Sequence, residues 1–205
     1  MSIARDYEIA LAELKDIPYL PSIEKAAATL LKGYAPASVL EDTTNHAEFR
    51  DAQMDGRLWV ARRDDLPVGF AYAELLEPAS AHLKELDVHP GHIRRGLGSR
   101  LVLAVCAWAS AIGCQSLTLT TFRDVAFNMS FYAQLGFEVI PTEGLSSMLR
   151  SIIQEESCRG PRSITSRCNA ISIRRTWRQQ TPWISQGRIE AVNSAFWNSP
   201  LKNGN

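Results

Sequence analysis

The sequence predicts an α/β protein with the element order β-α-α-β-β-β-α-β-α-β. One observation is a set of short stretches in which side chains alternate in polarity or β-branched residues cluster, as in strands. A second is a long amphipathic helix over residues 97–112, where apolar residues recur at helical spacing: Leu97, Leu101, Val105, Trp108 and Ile112. The length of 205 residues suits one domain with a sizeable core plus an appendage.

The first half of the chain is expected to supply a strand, two helices and a β-hairpin. Residues 7–14 alternate well enough for a first strand, although a helix is an open alternative there. Glycines and prolines set the expected bounds of the other elements. In chain order these are a helix from Asp16 to a stop at Gly33, a helix at 44–55, a strand beginning at Trp59, a turn at 64–67 and a strand at 68–76.

The second half is expected to alternate strands and helices and to end in an appendage. The expected elements are a strand at 82–89, the helix at 97–112 closed by Gly113, a strand at 116–122, a helix capped by Asp124 that runs to about Leu135, a strand at 137–140 and a helix at 145–156. Further on, Asn169–Arg175 is the best candidate for a last strand, and 187–196 for a short helix. We therefore expect a domain at 1–156 and a basic, weakly patterned extension at 157–205.

Charge is distributed unevenly along the chain, although the formal net charge is zero. Residues 1–156 carry 14 Lys/Arg and 21 Asp/Glu, a net −7, whereas residues 157–205 carry 8 Lys/Arg and one Asp/Glu, a net +7. The basic residues of the extension are scattered, and no motif that reads nucleic acid accompanies them. A nucleic acid partner is therefore not expected.

We expect a cytoplasmic protein with no membrane partner and no metal site. Charges run through the first 16 residues, and the longest apolar stretch, Leu101–Ile112, is too short to cross a bilayer. The cysteines have neither CxxC spacing nor a neighbouring His cluster: Cys106, Cys114, Cys158 and Cys168. The sequence leaves the oligomeric state open, a homodimer included.

The most informative stretch joins a strand to the long helix through a basic loop. Alternation along the strand predicts that Leu83, Glu85 and Asp87 share one face. In the loop Arg94–Ser99, two glycines allow the backbone to approach a ligand closely, and unpaired amides at the helix entrance attract anions. Two adjacent arginines suit a pyrophosphate or a ribose phosphate. For this loop alone, an ordinary strand-to-helix turn with a solvated basic edge is the alternative.

Two motifs resemble those of the GCN5-related N-acetyltransferases, the GNAT family. Val88-His89-Pro90, followed by Arg94-Arg95-Gly96-Leu97-Gly98, is similar to the acetyl-CoA-binding motif of that family. Asn128 with Phe131–Phe137 is similar to its second signature, N-x-x-x-x-Y-x-x-x-G-F. The chain departs from the family at Ile93, where Gln or Arg is usual. Because that residue contributes chiefly a backbone amide, the site is retained.

The resemblance implies a mixed sheet flanked by helices and an N-acetyltransferase that moves an acetyl group from acetyl-CoA directly to a primary amine. Acetyl-CoA would be the co-substrate, and the acceptor a small molecule or a peptide. The strand ending at Val88 would splay from the next one, which frees the main chain of Leu86, Asp87 and Val88 to bind the pantetheine arm. The other implied cofactor-binding residues are Ile93, Arg94, Arg95, Gly96, Leu97, Gly98 and Ser99 of the loop, Asn128 for the pantetheine amide, and Tyr132.

The resemblance also implies catalytic roles for Glu85 and Tyr132. Glu85 is the candidate general base, acting directly or through water, and Tyr132 is the candidate general acid for the CoA sulfur. A surface carboxylate and a packing tyrosine are the structural alternatives for these two residues. Asp87 is a second candidate base and an alternative group for orienting the substrate ammonium. His82 and His89 are weaker candidate bases.

Other readings of the site stay open at this point. Trp59, Tyr72 and Glu74 of the hairpin are candidates for the acceptor pocket, with a core position as an equal alternative for the two aromatic residues. Transfer of a different acyl group would use the same site. A non-catalytic acyl-CoA-binding module whose basic extension docks to an acidic partner is the alternative from another functional class. Release of free CoA with amine acceptors distinguishes an enzyme from such a module.

Overall fold

A seven-stranded mixed sheet forms the centre of the protein. The computed structural model describes residues 6–34, 40–41, 43–77, 79–122, 125–158 and 170–176. The spatial order is β1-β2-β3-β4-β5-β7-β6, and within these residues β4 and β5 form the parallel pair. The strands are β1 (Glu8–Leu11), β2 (Leu58–Arg63), β3 (Leu66–Glu77), β4 (Ser80–Val88), β5 (Ser116–Phe122), β6 (Glu138–Val139) and β7 (Ala170–Thr176). The predicted α/β class with a mixed sheet is confirmed.

Helices cover both faces of this sheet. They are α1 (Leu20–Ala28), α2 (His46–Met54), α3 (Leu97–Ala111), α4 (Ala126–Gln134) and α5 (Ser147–Cys158). Helices α1 and α2 enclose one core, which contains Phe49, Phe70 and Tyr72. Helices α3 and α4 enclose the other, which contains Leu101 and Tyr132. We call these two sides of the sheet the α1 face and the α3 face.

Polar contacts fix the connections on the α1 face. The buried Asp16 pairs with the buried Arg62 of β2 at 2.5 Å, which ties the chain before α1 to the sheet. Glu24 of α1 accepts a hydrogen bond of 3.0 Å from the Thr44 amide. Asn45 caps α2 by accepting from the Glu48 amide at 2.9 Å. The two helices are therefore held to β2 and to each other at their ends.

The β2–β3 hairpin is tighter than the sequence predicts. Asp64 and Asp65 have φ angles of 50° and 63°, so they form a two-residue turn in the left-handed region. Leu66 and Pro67, which are expected in the turn, already belong to β3. The reason is that short acidic side chains adopt this conformation more readily than most residues, so two residues suffice.

A bulge in β4 corrects the predicted strand alternation. Ala73 pairs with Leu83, whereas Tyr72 pairs with Glu85, so Lys84 is an extra residue without a partner in β3. Directly opposed side chains lie on the same face of a sheet. Leu83 therefore lies on the α3 face with Ala73, and Glu85 lies on the α1 face with Tyr72. The prediction that Leu83 shares a face with Glu85 and Asp87 is wrong.

The last strand of the sheet comes from beyond residue 156. β7 pairs antiparallel with the whole of β5, and β6 pairs with its other edge. The predicted strand at Asn169–Arg175 overlaps β7 in all but its first residue. The predicted cap at Asp124, the predicted helix at 187–196 and the rest of the extension after residue 176 lie outside the described residues.

Candidate active site

The sheet opens between β4 and β5, as the family resemblance implies. These strands pair from Ser80 with Ser116 to Leu83 with Leu119, and the pairing ends there. On their outer sides the strands stay paired, β4 with β3 as far as Val88 and β5 with β7 as far as Phe122. Two strands held apart by their other neighbours leave a gap, which we call the fork. Leu86, Asp87 and Val88 run along its β4 side.

Two buried side-chain oxygen atoms among the described residues lack a protein hydrogen-bond partner, and both lie at the fork. They are Oδ2 of Asp87 on β4 and Oγ1 of Thr120 on β5. Thr120 comes directly after the last residue of β5 that pairs with β4. Burying a polar atom without a partner costs free energy, and native proteins keep few such atoms. The fork therefore offers unused hydrogen-bonding capacity to a ligand.

The carboxyl groups of Glu85 and Asp87 lie together on the α1 face. Asp87 pairs with Phe70 and Glu85 with Tyr72, both of which belong to the core on that face. Burial raises the pKa of Asp87 well above its usual range, and the charges of Glu85 and Glu24 raise it further. Since two adjacent carboxylates cannot both ionise easily, this pair favours a state that keeps one proton.

Tyr132 approaches the fork from the α3 face. Its ring is buried and packs edge-on against Phe131 at 4.9 Å and Phe137 at 5.6 Å, measured between ring centroids. Burial raises the pKa of Tyr132, and the charges of Glu85 and Asp87 raise it further. These charges act on the phenol from the opposite side of the opened sheet. A proton donor and a pair of proton acceptors thus flank one gap.

Asn128 contacts the β5 side of the fork. Its Nδ2 atom donates a hydrogen bond of 3.1 Å to Oγ1 of Thr121. Asn128 is half-buried and lies four residues before Tyr132 in α4, hence on the same side of that helix. Its carboxamide oxygen can accept a further hydrogen bond. Site prediction missed Thr120 and Thr121. Polar and apolar residues alternate along β5 as far as Thr120, and the signal is that Thr121 stands where the alternation calls for an apolar residue.

The loop before α3 has the geometry of an anion site. Gly96 is the N-cap of α3 and has a left-handed φ of 75°, and Arg94 has a φ of 59°. The first amides of a helix have no partner within the helix, so those of Leu97, Gly98 and Ser99 are available to a ligand. A short 3-10 turn at Pro90–His92 leads into this loop.

The side chains of the loop divide into exposed and buried ones. Arg94 and Arg95 are exposed, whereas Leu97 is buried in the core on the α3 face. Ile93 is half-buried and has an extended backbone conformation. The two arginine side chains are therefore accessible to an anion, while Leu97 anchors the helix start.

The two sequence motifs contact each other at Gly98. A Cβ atom on Gly98 would lie 3.3 Å from the Phe131 ring. A side chain at this position would press on the Phe131 ring, so glycine suits the close approach of α3 and α4. The contact places the helix N-terminus of the first motif next to the Asn128 and Tyr132 helix of the second, so both motifs belong to one site.

Three other candidates lie away from the fork opening. His82 is buried where β4 and β5 are paired, with Nδ1 2.9 Å from Oγ1 of Thr118, and burial lowers its pKa to about 4. His89 is exposed, and its Nδ1 accepts a hydrogen bond from the Gly91 amide at 3.1 Å. Trp59 lies on the α3 face, where its ring is 5.5 Å from that of Trp108. The structure therefore does not bring these residues to Glu85.

Tyr72 and Glu74 line an open cavity on the α1 face, with a volume of about 430 Å³. Its other lining residues are Glu48, Asp51, Asp55, Arg57 and Leu75. Burial and the charge of Glu74 raise the pKa of Tyr72 to about 12. Arg57 binds Asp55 at 2.6 Å, and Lys84 lies 3.7 Å from Glu74. Carboxylates therefore outnumber cations around this cavity, which lies next to Tyr72, the residue that pairs with Glu85.

The described residues contain neither a cluster that could hold a metal ion nor a helix that could cross a membrane. Over residues 6–158 and 170–176, excluding the gaps stated above, no three His, Cys, Asp or Glu side chains converge as ligands for a metal ion. None of the helices described within these ranges has the length and apolar character that crossing a bilayer requires.

The fork and the adjacent helix N-terminus form the candidate site, and comparison with a known family gives the class of the protein. The model of the acetyltransferase (GNAT) family matches residues 25–137, more than half of the chain. The protein therefore belongs to this family and is an acyltransferase.

Solved structures of the same fold include several N-acetyltransferases. The PaiA N-acetyltransferase from Thermoplasma acidophilum, in complex with coenzyme A, is 15% identical with a TM-score of 0.65, over 83% of this chain and 99% of the other. The ribosomal-protein-S18-alanine N-acetyltransferase from Escherichia coli is 18% identical with a TM-score of 0.59, over 88% and 99%. YncA from Salmonella typhimurium, a putative acetyltransferase with its cofactor acetyl-CoA, is 17% identical with a TM-score of 0.62, over 86% and 97%.

Proposed function

We propose that the protein transfers an acetyl group from acetyl-CoA to a primary amine. One observation carries the proposal: the fork lies between a carboxyl pair on one face of the sheet and the Tyr132 phenol on the other. A thioester that enters this gap would have a proton acceptor on its amine side and a proton donor on its sulfur side. The structures of PaiA with coenzyme A and of YncA with acetyl-CoA support this choice of co-substrate.

Acetyl-CoA would bind along the fork from the loop inwards. Its pyrophosphate fits the amides of Gly96, Leu97, Gly98 and Ser99, and the side chains of Arg94 and Arg95 add positive charge. The backbone conformation of Ile93 suits a main-chain contact with the same phosphates. The anion would thus meet the positive end of the α3 dipole.

The pantetheine arm would continue as an extra strand beside β4. Main-chain groups of Leu86, Asp87 and Val88 that face the fork have no partner in β5, since pairing ends at Leu83. The carboxamide oxygen of Asn128 can accept from a pantetheine amide while its Nδ2 atom holds Thr121. Such strand-like binding extends the sheet into the gap and satisfies backbone groups that face it.

The reaction requires one proton to leave the amine and one to reach the sulfur. Glu85 would accept the proton of the amine, directly or through a water molecule, as the nitrogen attacks the thioester carbonyl. The Val88 amide would stabilise the oxyanion that forms. As the carbon–sulfur bond breaks, Tyr132 would donate its hydroxyl proton to the CoA thiolate. The raised pKa of Tyr132 supports this role, because the phenol keeps its proton at neutral pH.

The acceptor would enter from the α1 face. Glu85 and Asp87 project on that side, and Tyr72, which pairs with Glu85, also lines the open cavity. The carboxylates around this cavity favour a positively charged acceptor, as an amine is before it loses its proton. Transfer of a longer acyl group, or acyl-CoA binding without turnover, remains the competing function.

Release of free CoA from acetyl-CoA, measured with a panel of primary amines, tests the proposal. Gly96→Glu places negative charge where the phosphates must lie, so we expect it to abolish both turnover and the increase in unfolding temperature that CoA causes.

Gly113→Glu is the matched control for this variant. Gly113 lies just beyond the other end of α3, also has a left-handed φ (87°, against 75° for Gly96), and has equally open space around its Cβ position. It carries similar backbone strain away from the site and should bind CoA normally. Normal CoA binding by Gly96→Glu would refute the assigned loop. CoA binding without CoA release for any amine would favour the non-catalytic module.

A further inference from the structure

Tyr7 contacts several basic residues around the loop between β4 and α3. It directly precedes β1, and its side chain is only 6% exposed. Its hydroxyl group lies 2.9 Å from Nδ1 of His92, in the 3-10 turn that leads into the loop. Its carbonyl oxygen accepts a hydrogen bond of 3.1 Å from Nη2 of Arg100, in the first turns of α3. Tyr7 thus touches the chain on both sides of the loop.

The ring of Tyr7 also attracts two guanidinium groups. Cζ of Arg95 lies 5.9 Å from the ring centroid, and Cζ of Arg63 lies 5.8 Å from it. The negative face of an aromatic ring attracts a cation at such distances. Arg95 is exposed in the loop, and an exposed arginine side chain otherwise samples many rotamers. The ring therefore limits where these two charges lie.

These contacts come from a residue outside the segment 25–137 that matches the family. We propose that Tyr7 is a positioning residue for the loop, and that its ring holds Arg95 in place for the phosphates of CoA. The inference rests on the proposed function, in which the loop binds the pyrophosphate. Cations that are already ordered lose less conformational entropy when the anion binds, so affinity rises without a new contact.

A purely structural role for Tyr7 must be separated from this one. Tyr7 belongs to the core on the α3 face, so a variant that removes the ring would also disturb packing. Phenylalanine keeps the ring and its negative face but lacks the hydroxyl group. Pentafluorophenylalanine keeps the ring shape and reverses its charge distribution, so that the face no longer attracts a cation. The comparison between these two side chains at position 7 isolates the attraction for the arginines.

The experiment is the dissociation constant of CoA by isothermal titration calorimetry. We expect Tyr7→Phe to bind CoA within about twofold of the wild type, and the pentafluorophenylalanine variant to bind it roughly three- to fivefold more weakly than Tyr7→Phe. In an Arg95→Gln background this difference should shrink, because one of the two cations is gone. Thermal unfolding without CoA should be similar for the two ring variants.

The possible outcomes are distinguishable. Equal affinity of the two ring variants, or a difference that persists unchanged with Arg95→Gln, overturns the inference and leaves Tyr7 as a core residue. A large loss of affinity already in Tyr7→Phe assigns the effect to the hydroxyl group and His92, and overturns the role of the ring. If the wild type binds no CoA, the proposed function fails and the inference fails with it.

Discussion

The two halves of β4 belong to one strand, but they differ in strand pairing and in the polar side chains they carry. From Ser80 to Leu83 the strand is paired on both edges, and its buried polar side chain, His82, contacts Thr118 at 2.9 Å. From Glu85 to Val88 the strand is paired with β3 alone. This half carries a carboxyl pair and a buried oxygen atom without a partner, Oδ2 of Asp87.

The difference shows where this fold leaves polar groups available for chemistry. In the paired half, Thr118 donates to the Ala81 carbonyl at 3.1 Å, so its oxygen can accept from Nδ1 of His82 and the polar atoms satisfy one another. The bulge at Lys84 marks the boundary, because it moves the next side chains to the other face. Bulges commonly re-aim side chains next to active sites. The proposed reaction therefore belongs to the open half, where Oδ2 of Asp87 has no protein partner.

The largest expected effect is in the open half. Glu85→Gln keeps the shape of the side chain but cannot take the proton of the acceptor, so turnover should fall by roughly 100-fold near neutral pH. The loss should become smaller as pH rises, since more of the acceptor amine is then already deprotonated. Initial rates of CoA release from pH 6.5 to 9.5 measure this.

His82→Gln provides the comparison from the paired half. Because His82 already has a partner in Thr118 and lies away from the open end, turnover should stay within about twofold of the wild type. A comparable loss of turnover in His82→Gln and in Glu85→Gln would break the distinction between the two halves.

The second prediction concerns how the stability of the protein depends on pH through His82, in the paired half of β4. Burial lowers the pKa of His82 from 6.5 to about 4, so the unfolded chain binds its proton more readily than the native protein does. The contribution of His82 to the free energy of unfolding is therefore fully present above about pH 6.5. It is lost as pH decreases towards 4, and the loss amounts to roughly 3 kcal/mol. Urea unfolding at pH 7.5 and 4.5 should show a larger loss in the wild type than in His82→Gln. Equal losses would contradict the burial of a neutral histidine.

Strong local patterns made most of the fold predictable. The apolar stripe on α3, the β-branched run of β5 and the glycine stop after α3 each specify an element without help from the rest of the chain. The bulge at Lys84 has no such signal, because it results from how β4 fits against β3. The boundaries of the hairpin turn depended likewise on the conformation of two residues, Asp64 and Asp65.

The candidate site was predictable only where its residues are close in sequence. The two motifs contain the loop, Asn128 and Tyr132, and the structure brings them together through Gly98 and Phe131. Tyr7 is separated from His92 by 85 residues, and no pattern in the sequence indicates that contact. The sequence also gives no sign that Oδ2 of Asp87 and Oγ1 of Thr120 lack a protein partner, because this depends on where two strands part.

The last prediction tests whether the open half lowers stability for the sake of function. Burial raises the pKa of Asp87, so the native protein holds this proton more tightly than the unfolded chain does. Stability from this group is therefore present below the ordinary pKa of 3.8 and is lost as pH rises through the higher native pKa.

Asp87→Asn has no proton to lose, so urea unfolding at pH 8 should show a more stable protein than the wild type, with the gain shrinking towards pH 4. If Asp87→Asn is less stable than the wild type at pH 8, the native structure stabilises the ionised carboxylate of Asp87. The comparison between the two halves of β4 then fails. A stabilised variant with reduced turnover is the expected result, because a buried carboxyl oxygen kept without a protein partner is useful only when a substrate supplies one.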